Sequence, residues 1–440
     1  MGNDRSSGRF GYTAAEYHKF RRYGYRYLIL VSVLYCLLYC IRLNLSAAAA
    51  PMIRELSLTT ADIGILTGTL FWTYGIGSVL SGRFAEVFGP QRFIILSVLL
   101  SAAFNIAFAF TKDPAVMAVL WGLNGLAQSM TWPACIVLIA AWWPSSTHGF
   151  ATGFISAFSG FGQAAATLAV SFSFAVLPGA GYRAAFLLPP LFPLLGLAAY
   201  LIFARTKPEK AGLPPYVDEN REVKEKEEAL FEKLREKGPL YPYRMLLSNT
   251  EYLLWLAISG LYGMIRYGLM TWIPLYFIDR FGIDVQAGLL QSLALPVGMG
   301  IGTFVVPWLT DRLDPKNRLP AVVLSAFLSG LFVLLFIFTD PRTAGGMLLI
   351  QFLLFFAGFF VYAVSGVAWT YSADVGGRAL SGTSSGILGF VSYLGAGIQA
   401  LVYGFLLRSA GWTVVFLSIA AFCLVETAIS IYILVRKRKR

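Results

Sequence analysis

The chain has 440 residues, 57% of them apolar and only 13% charged. That balance excludes an ordinary soluble domain. The formal charge of +12 raises nucleic acid as a partner, but its placement argues otherwise. Basic residues crowd the start (Arg5, Arg9, Lys19, Arg21, Arg22) and the closing RKRKR. Lys and Arg so placed mark the cytoplasmic flanks of membrane spans, so the expected partner is the lipid bilayer and not nucleic acid.

A spanning helix needs about 20 mostly apolar residues. Twelve such segments are expected, at 25–49, 61–85, 92–111, 115–143, 149–177, 184–204, 250–278, 287–308, 319–339, 346–371, 380–407 and 413–435. They are too long and continuous for the strands of an outer-membrane barrel, which alternate every second residue. The expected order is a basic tail at 1–24, a six-helix bundle at 25–204, a charged linker at 205–247, a second six-helix bundle at 248–435 and a basic tail at 436–440. An even number of spans puts both termini in the cytoplasm of a cell-membrane protein, expected to act as a monomer. The polar start and the long apolar run after it, without a clear small-residue cleavage site, read as a tail and first span, not a signal peptide.

The first segment carries "VLYCLLYCIRLNL", with Arg42 as its charge. A charge at the bilayer centre costs roughly 2.5–3.5 kcal/mol even on the forgiving insertion scale, so something should compensate for it. Helical spacing puts Tyr35, Tyr39 and Arg42 on one face. The sequon at Asn44 lies inside this span and is dismissed as a glycosylation site. Cys36, Cys40, Cys135 and Cys423 all lie in apolar segments with neither disulfide nor metal spacing, and His18 and His148 are far apart in sequence. No cofactor or metal is expected.

The stretch "DENREVKEKEEALFEKLREK" between segments 6 and 7 is helix-prone and rich in acid–base pairs four apart. It reads as a solvated linker helix. The six segments on either side of it echo each other. Arg42 returns as Arg266 in "LYGMIRYGLMTW", 224 residues later. Glu86 and Asp311 match at an offset of 225, and Gly153, Ser159 and Gly162 match Gly386, Ser392 and Gly395 at 233. Three features in one order indicate duplicated halves. Parallel six-helix repeats about an axis along the membrane normal are a transporter pattern.

The loop "GRFAEVFGPQR" resembles the signature loop of the major facilitator superfamily. Gly82, Glu86 and Arg92 fit it, with Glu for the usual Asp, and the second copy keeps Asp311, Arg312 and Arg318. The resemblance covers the whole chain. It implies an all-α membrane protein of twelve transmembrane helices in two pseudo-symmetric six-helix bundles. It also implies that these loop residues latch helix ends in one conformation.

The repeat places segments 1 and 7 face to face, so Arg42 and Arg266 meet near the midplane. Tyr262 shares a helix face with Arg266, and Tyr267 adjoins it. Intramembrane charges face a cavity and mark a substrate path. Glu426 in segment 12 is the candidate acid within the spans, and that helix is usually peripheral in this fold. The alternative is a structural arginine satisfied by backbone carbonyls. If no protein acid pairs them, the missing partner is the substrate. A guanidinium fork suits carboxylate or phosphate, which points to a small organic anion, with a counter-anion if the carrier exchanges. The tyrosines can give hydroxyls or ring faces to the cations. Pro133, Pro274 and Pro296 and the run "GMGIG" at 298–302 fit moving helices or, for the glycines, close packing. No nucleophile–base pair or phosphate loop argues for an enzyme.

A narrower resemblance is to the organophosphate:phosphate antiporter family, whose members include glycerol-3-phosphate and hexose-phosphate transporters. Arg42, Tyr35 and Tyr39 fall on its helix 1 arginine and tyrosines. "RYGLMTWIPLY" matches its helix 7, with Arg266 as the second arginine. "KPEKAGLPP", "SMTWPAC" and "AAWWP" match further motifs, and Tyr74 and Tyr393 coincide with cavity tyrosines. Gln128 and Ser159 complete the candidate contacts. The resemblance implies an organic-anion transporter, with exchange expected from the arginine pair. Three positions depart from the pattern. The family's helix 2 lysine is Ser78, its helix 5 histidine falls on Ser159, and its helix 8 glutamate falls near Pro296. Phosphate as the counter-ion therefore does not follow.

The first half also resembles the anion:cation symporters of sugar acids, through "CIRLNLSAAAAP" and "FWTYGIGSVLSGRFAEVFGP". The acid that family uses for protons is Ile41 here, so sugar acids and carboxylates stay open as substrates without that coupling. A transporter-like sensor, with the linker as output surface, and a lipid flippase are the readings from other classes.

Overall fold

The computed structural model describes residues 12–88, 90–143, 148–205, 208–214, 236–238, 241–313 and 318–438. Side chains are described for all of these except 82–88, 136, 137, 139–141, 148, 149, 152, 242, 311, 370, 373, 374, 376–382 and 438. Most of the charged stretch of the expected linker lies outside the described residues.

The first span is longer than its apolar core. Helix Ala14–Leu38 starts at a capping box in which Thr13 and Glu16 satisfy each other's backbone N–H groups. The expected single helix over 25–49 is broken. A 3-10 turn, Tyr39–Ile41, and two turn residues precede a second helix, Asn44–Leu56. Span 2 (Thr60–Phe88) opens on a reciprocal Thr59–Asp62 cap. Span 3 is Pro90–Phe110. Span 4 is also broken, into Pro114–Gln128 and Thr131–Trp142. Span 5 is His148–Val176. Span 6 is assembled from Pro178–Arg183, Ala184–Leu187 and Leu191–Phe203.

Span 7 (Thr250–Phe281) runs unbroken through Arg266, from the Asn249 cap to Gly282 at φ +64°. Span 8 is split into Val285–Gln291 and Ala294–Leu313, and span 9 is Leu319–Ile337. The chain is then helical from Gly346 to Arg438. As one straight rod that stretch would be about 140 Å long, so it must fold back. Ser372 Oγ lies 2.8 Å from Ser384 Oγ, which fixes a reversal between them. Tyr403 and Ile419 both border Gly268, and Gly411 between them has φ +77°. Those two reversals yield spans 10, 11 and 12. The described residues thus form the expected twelve spans. Large apolar side chains face outward along them, including Phe110, Leu195, Phe338 and Leu348. That belt suits lipid and would aggregate in water.

Glycine contacts reveal the duplication physically. A Cβ on Gly162 of span 5 would sit 2.9 Å from the Cys36 carbonyl of span 1. Its repeat mate Gly395 of span 11 packs on the carbonyl of Gly260 in span 7. Cys36 and Gly260 are 224 residues apart, the offset of the two arginines. The same register therefore joins 1 to 5 and 7 to 11. Among the described residues Gly153 and Gly386 have nothing within 4 Å, so no described contact accounts for that sequence pair. In "GMGIG", Gly298 and Gly302 meet the carbonyls of Phe355 and Phe359, and Gly300 meets Gly160 of the other half. These glycines serve close packing.

The halves also join along spans 2 and 11 at the end opposite the described termini. Thr60 Oγ1 donates to the Gly404 carbonyl at 2.9 Å, and Gly64 packs on Ala400. At the other end Trp142, first of the paired tryptophans, stacks on Tyr23 and donates to the Arg205 carbonyl at 2.7 Å. That tryptophan ties span 4 to the start of span 1 and the end of span 6.

Gly395→Ala drives a methyl into the Gly260 carbonyl, an overpacking that costs roughly 1–3 kcal/mol. Gly386→Ala meets no described atom within 4 Å. The expected outcome, read by thermal unfolding in detergent, is a clear drop in Tm for the first variant and none for the second.

Candidate functional site

Arg42 sits where span 1 loses its helix, and it is 2% exposed. Its Nε donates to Gln128 Oε1 at 2.6 Å. Gln128 Nε2 donates to the Ile41 carbonyl at 2.9 Å and to Asn124 Oδ1 at 3.2 Å. The amide of Gln128 is therefore committed to holding Arg42. Both terminal nitrogens of Arg42, Nη1 and Nη2, are buried with no hydrogen-bond partner among the described residues. The alternative of an arginine satisfied by backbone carbonyls does not describe this geometry.

Arg266 lies on the unbroken span 7 and is 6% exposed. Its Nη2 donates to the Tyr39 hydroxyl at 3.3 Å, a bond that crosses from one half to the other. Among the described residues its Nε is buried without a hydrogen-bond partner, as is the Tyr262 hydroxyl. Tyr39 touches both cations, because its ring centre lies 4.4 Å from the Arg42 guanidinium carbon.

Each arginine has three phenol rings around it. Arg42 faces Tyr35 at 5.6 Å, Tyr39 at 4.4 Å and Tyr74 at 4.8 Å. Arg266 faces Tyr262 at 5.9 Å, Tyr267 at 4.5 Å and Tyr362 at 4.4 Å. A cation–ring contact is worth about 0.5–2 kcal/mol, the upper end when desolvated. Three rings offset much of the burial cost of one charge. They do not satisfy N–H donors, so the unpartnered nitrogens remain a demand for an acceptor. Among the described residues neither arginine forms an ion pair with a carboxylate. Glu426 is itself buried, and its Oε1 has no hydrogen-bond partner among the described residues.

The structure brings the candidate substrate contacts together. Tyr267 hydroxyl donates to that of Tyr393 at 3.3 Å, and the Tyr393 ring lies 4.2 Å from that of Tyr74. Ser159 bonds the Tyr362 hydroxyl across the two halves. Sequence reasoning missed Tyr362, Asn105, Asn124 and the tryptophan pair Trp132 and Trp369. Tyr362 had a legible signal, since span 10 is the repeat mate of span 4, which supplied Gln128. Trp132 stands one turn beyond Gln128, 5.4 Å from Tyr35 and 6.1 Å from Trp369 of span 10. Ser78 and Pro296, in place of family charges, add no titratable group.

The expected loop latch falls partly outside the described residues. The side chains of Gly82, Glu86 and Asp311 lie outside the described residues. Arg92 is exposed, Arg312 is exposed and lies over the Trp308 ring at 4.2 Å, and Arg318 stands at the N-cap position of span 9.

Comparison with known proteins places this architecture. A family profile described as the Major Facilitator Superfamily matches residues 31–400. The chain belongs to the major facilitator superfamily. A "Probable hexose phosphate transport protein" of Chlamydia pneumoniae is 27% identical over 400 residues, covering 88% of this chain and 86% of the relative. A "Glycerol-3-phosphate transporter" of Bacillus subtilis (strain 168) is 24% identical over 394 residues, with the same coverage of 88% and 86%. A solved bacterial homologue of the human lysosomal transporter Spinster, inward-facing and unoccupied, shares the fold. Its TM-score is 0.72 at 16% identity, over 93% of this chain and 96% of that one. The chain is thus a membrane-spanning transporter of this superfamily and not an enzyme.

Gln128→Leu leaves Arg42 Nε buried without an acceptor, a loss of roughly 1.5–3 kcal/mol for a bond to a charged group. Tyr39→Phe keeps the ring and removes one long bond. Thermal unfolding is expected to show Gln128→Leu markedly less stable than the parent and Tyr39→Phe within about 1 kcal/mol of it.

Proposed function

We propose that this transporter carries a small organic dianion, an organophosphate or a close analogue, by alternating access and as an exchange. The observation that carries the proposal is the set of unpartnered nitrogens, Nη1 and Nη2 of Arg42 and Nε of Arg266, buried in one phenol-lined site. Guanidinium nitrogens in that state call for an oxyanion. The names of the hexose-phosphate and glycerol-3-phosphate relatives support a phosphoryl group as that oxyanion. Tyr35, Tyr39, Tyr74, Tyr262, Tyr267, Tyr362 and Tyr393 supply ring faces and hydroxyls around it. Gln128 and Ser159 act by holding Arg42 and Tyr362.

Exchange follows from the charge. Two cations enclosed in a poorly hydrated site repel, and each has lost hydration. An anion between them relieves both penalties. The loaded carrier then passes through its closed state readily, and the empty one does not. The Tyr39–Arg266 and Ser159–Tyr362 bonds span the halves and are the contacts that must part as one bundle rocks on the other. We place both termini on the cytoplasmic side because the basic ends mark that flank.

The test is thermal stabilisation of the purified protein by a panel of phosphate, glycerol phosphates, hexose phosphates, phosphonates, sugar acids and dicarboxylates. A ligand at 100 times its dissociation constant adds about 2.7 kcal/mol. An organophosphate shift that disappears in Arg42→Ala and Arg266→Ala is expected. A shift with carboxylates alone would instead favour the sugar-acid reading. In proteoliposomes, uptake is expected only when an anion is trapped inside. Uphill uptake on a proton gradient with no internal anion would sink the exchange mechanism, and binding without flux would mark a sensor.

A further inference from the structure

We infer that Asn105 and Asn124 are positioning residues that act on the transported anion through Arg42, an inference that rests on the transport reading above. Span 1 is broken at Arg42. In an unbroken helix the Leu45 N–H would bond the Ile41 carbonyl. Here the turn is closed differently. Arg42 and Leu43 N–H both reach the Tyr39 carbonyl, and Ser46 and Ala47 N–H both reach that of Leu43. The Ile41 carbonyl receives no backbone donor among the described hydrogen bonds. A buried carbonyl left so costs about 1–3 kcal/mol, and side chains meet the demand instead.

Three amides converge on that one oxygen. Asn105 of span 3 donates at 3.1 Å, Asn124 of span 4 at 3.0 Å, and Gln128 at 2.9 Å. A carbonyl oxygen has two lone pairs, so the oxygen is more than satisfied. Asn44, first residue of the resumed helix, donates to Asn105 Oδ1 and to the Ala185 carbonyl, both at 2.8 Å. The broken ends are thereby fastened to spans 3, 4 and 6. Within this clamp Gln128 cannot turn, since its Nε2 is held by Ile41 and Asn124. Its Oε1 then takes Arg42 Nε and leaves the far edge of the guanidinium unengaged.

The second half is the internal control. Arg266 rides a continuous helix, and one 3.3 Å bond to Tyr39 orients it. At the offset of 224 that pairs the arginines, Asn105 corresponds to Ser329. Ser329 bonds the Ala326 carbonyl and Cys423 Sγ, not span 7. The two arginines are therefore unequal. Arg42 is a fixed fork and Arg266 an adjustable one. A fixed fork serves bidentate recognition, where direction matters as much as charge.

The experiment is a double-mutant cycle on the full-length protein, with glycerol 3-phosphate as the probe. Asn124→Leu is combined with Arg42→Lys and, separately, with Arg266→Lys. Asn124→Leu alone is expected to weaken binding about tenfold. In its background Arg42→Lys should cost at least fivefold less than in the parent, because a misaimed fork has little advantage over a point charge. Arg266→Lys should cost the same in both backgrounds. Additivity in both arms, with binding by the parent intact, would reduce Asn124 to a structural residue and overturn the inference. A second readout needs no anion. Hydrogen exchange at residues 39–47 should quicken at least tenfold in Asn124→Leu, with the other spans unchanged, and unchanged exchange there overturns the inference as well. Failure of the parent to bind glycerol 3-phosphate or any anion of the panel would instead sink the transport reading. Should Asn124→Leu not fold, Asn124→Ser, which keeps a hydroxyl donor, goes through the same cycle.

Discussion

Two buried guanidinium groups, with no counter-charge paired to them among the described residues, govern this molecule. A cation in a low-dielectric interior demands compensation in proportion to what it has lost to dehydration. The chain answers with ring faces, which accept positive charge, and with very few hydrogen-bond acceptors. On the proposed reading the site holds together by itself and is completed by an oxyanion. Had a carboxylate stood beside either arginine, the site would be satisfied and the anion would have to displace it.

The backbone pays for that arrangement at span 1. Helix hydrogen bonds are surrendered around Arg42, and the amides of Asn105, Asn124 and Gln128 take them up. In a membrane an unpaired carbonyl has no water to turn to. The break therefore requires the amide cluster, and the cluster in turn aims Arg42. Span 7 keeps its helix and leaves its arginine a looser orientation. The duplicated halves have diverged around the two arginines.

The remainder of the bundle holds the halves close without locking them. Gly162 against span 1, Gly395 against span 7, and Gly160 against Gly300 bring backbones together where van der Waals contact does the work. Between the halves, the described polar contacts at the site are few, chiefly Tyr39 with Arg266 and Ser159 with Tyr362. Seams built mainly from dispersion can separate at small cost, as the proposed rocking of one bundle on the other requires.

Much of this was legible in the sequence. Apolar runs of about 20 residues sufficed for twelve spans, since bilayer thickness alone sets that length. The offset of 224 between Arg42 and Arg266 exposed the duplication, and i, i+4, i+7 spacing placed Tyr35 and Tyr39 beside Arg42. These are one-dimensional regularities. The tertiary structure decided the break in span 1, because helix continuity there depends on donors from spans 3 and 4 that no local pattern announces. It decided that Gln128 serves Arg42, that Tyr362 closes the ring about Arg266, and that Tyr39 touches both cations. Each of those facts joins residues dozens to hundreds of positions apart. The sequence determined which charges lie in the membrane, and the packing of distant spans decided which of their nitrogens remain free.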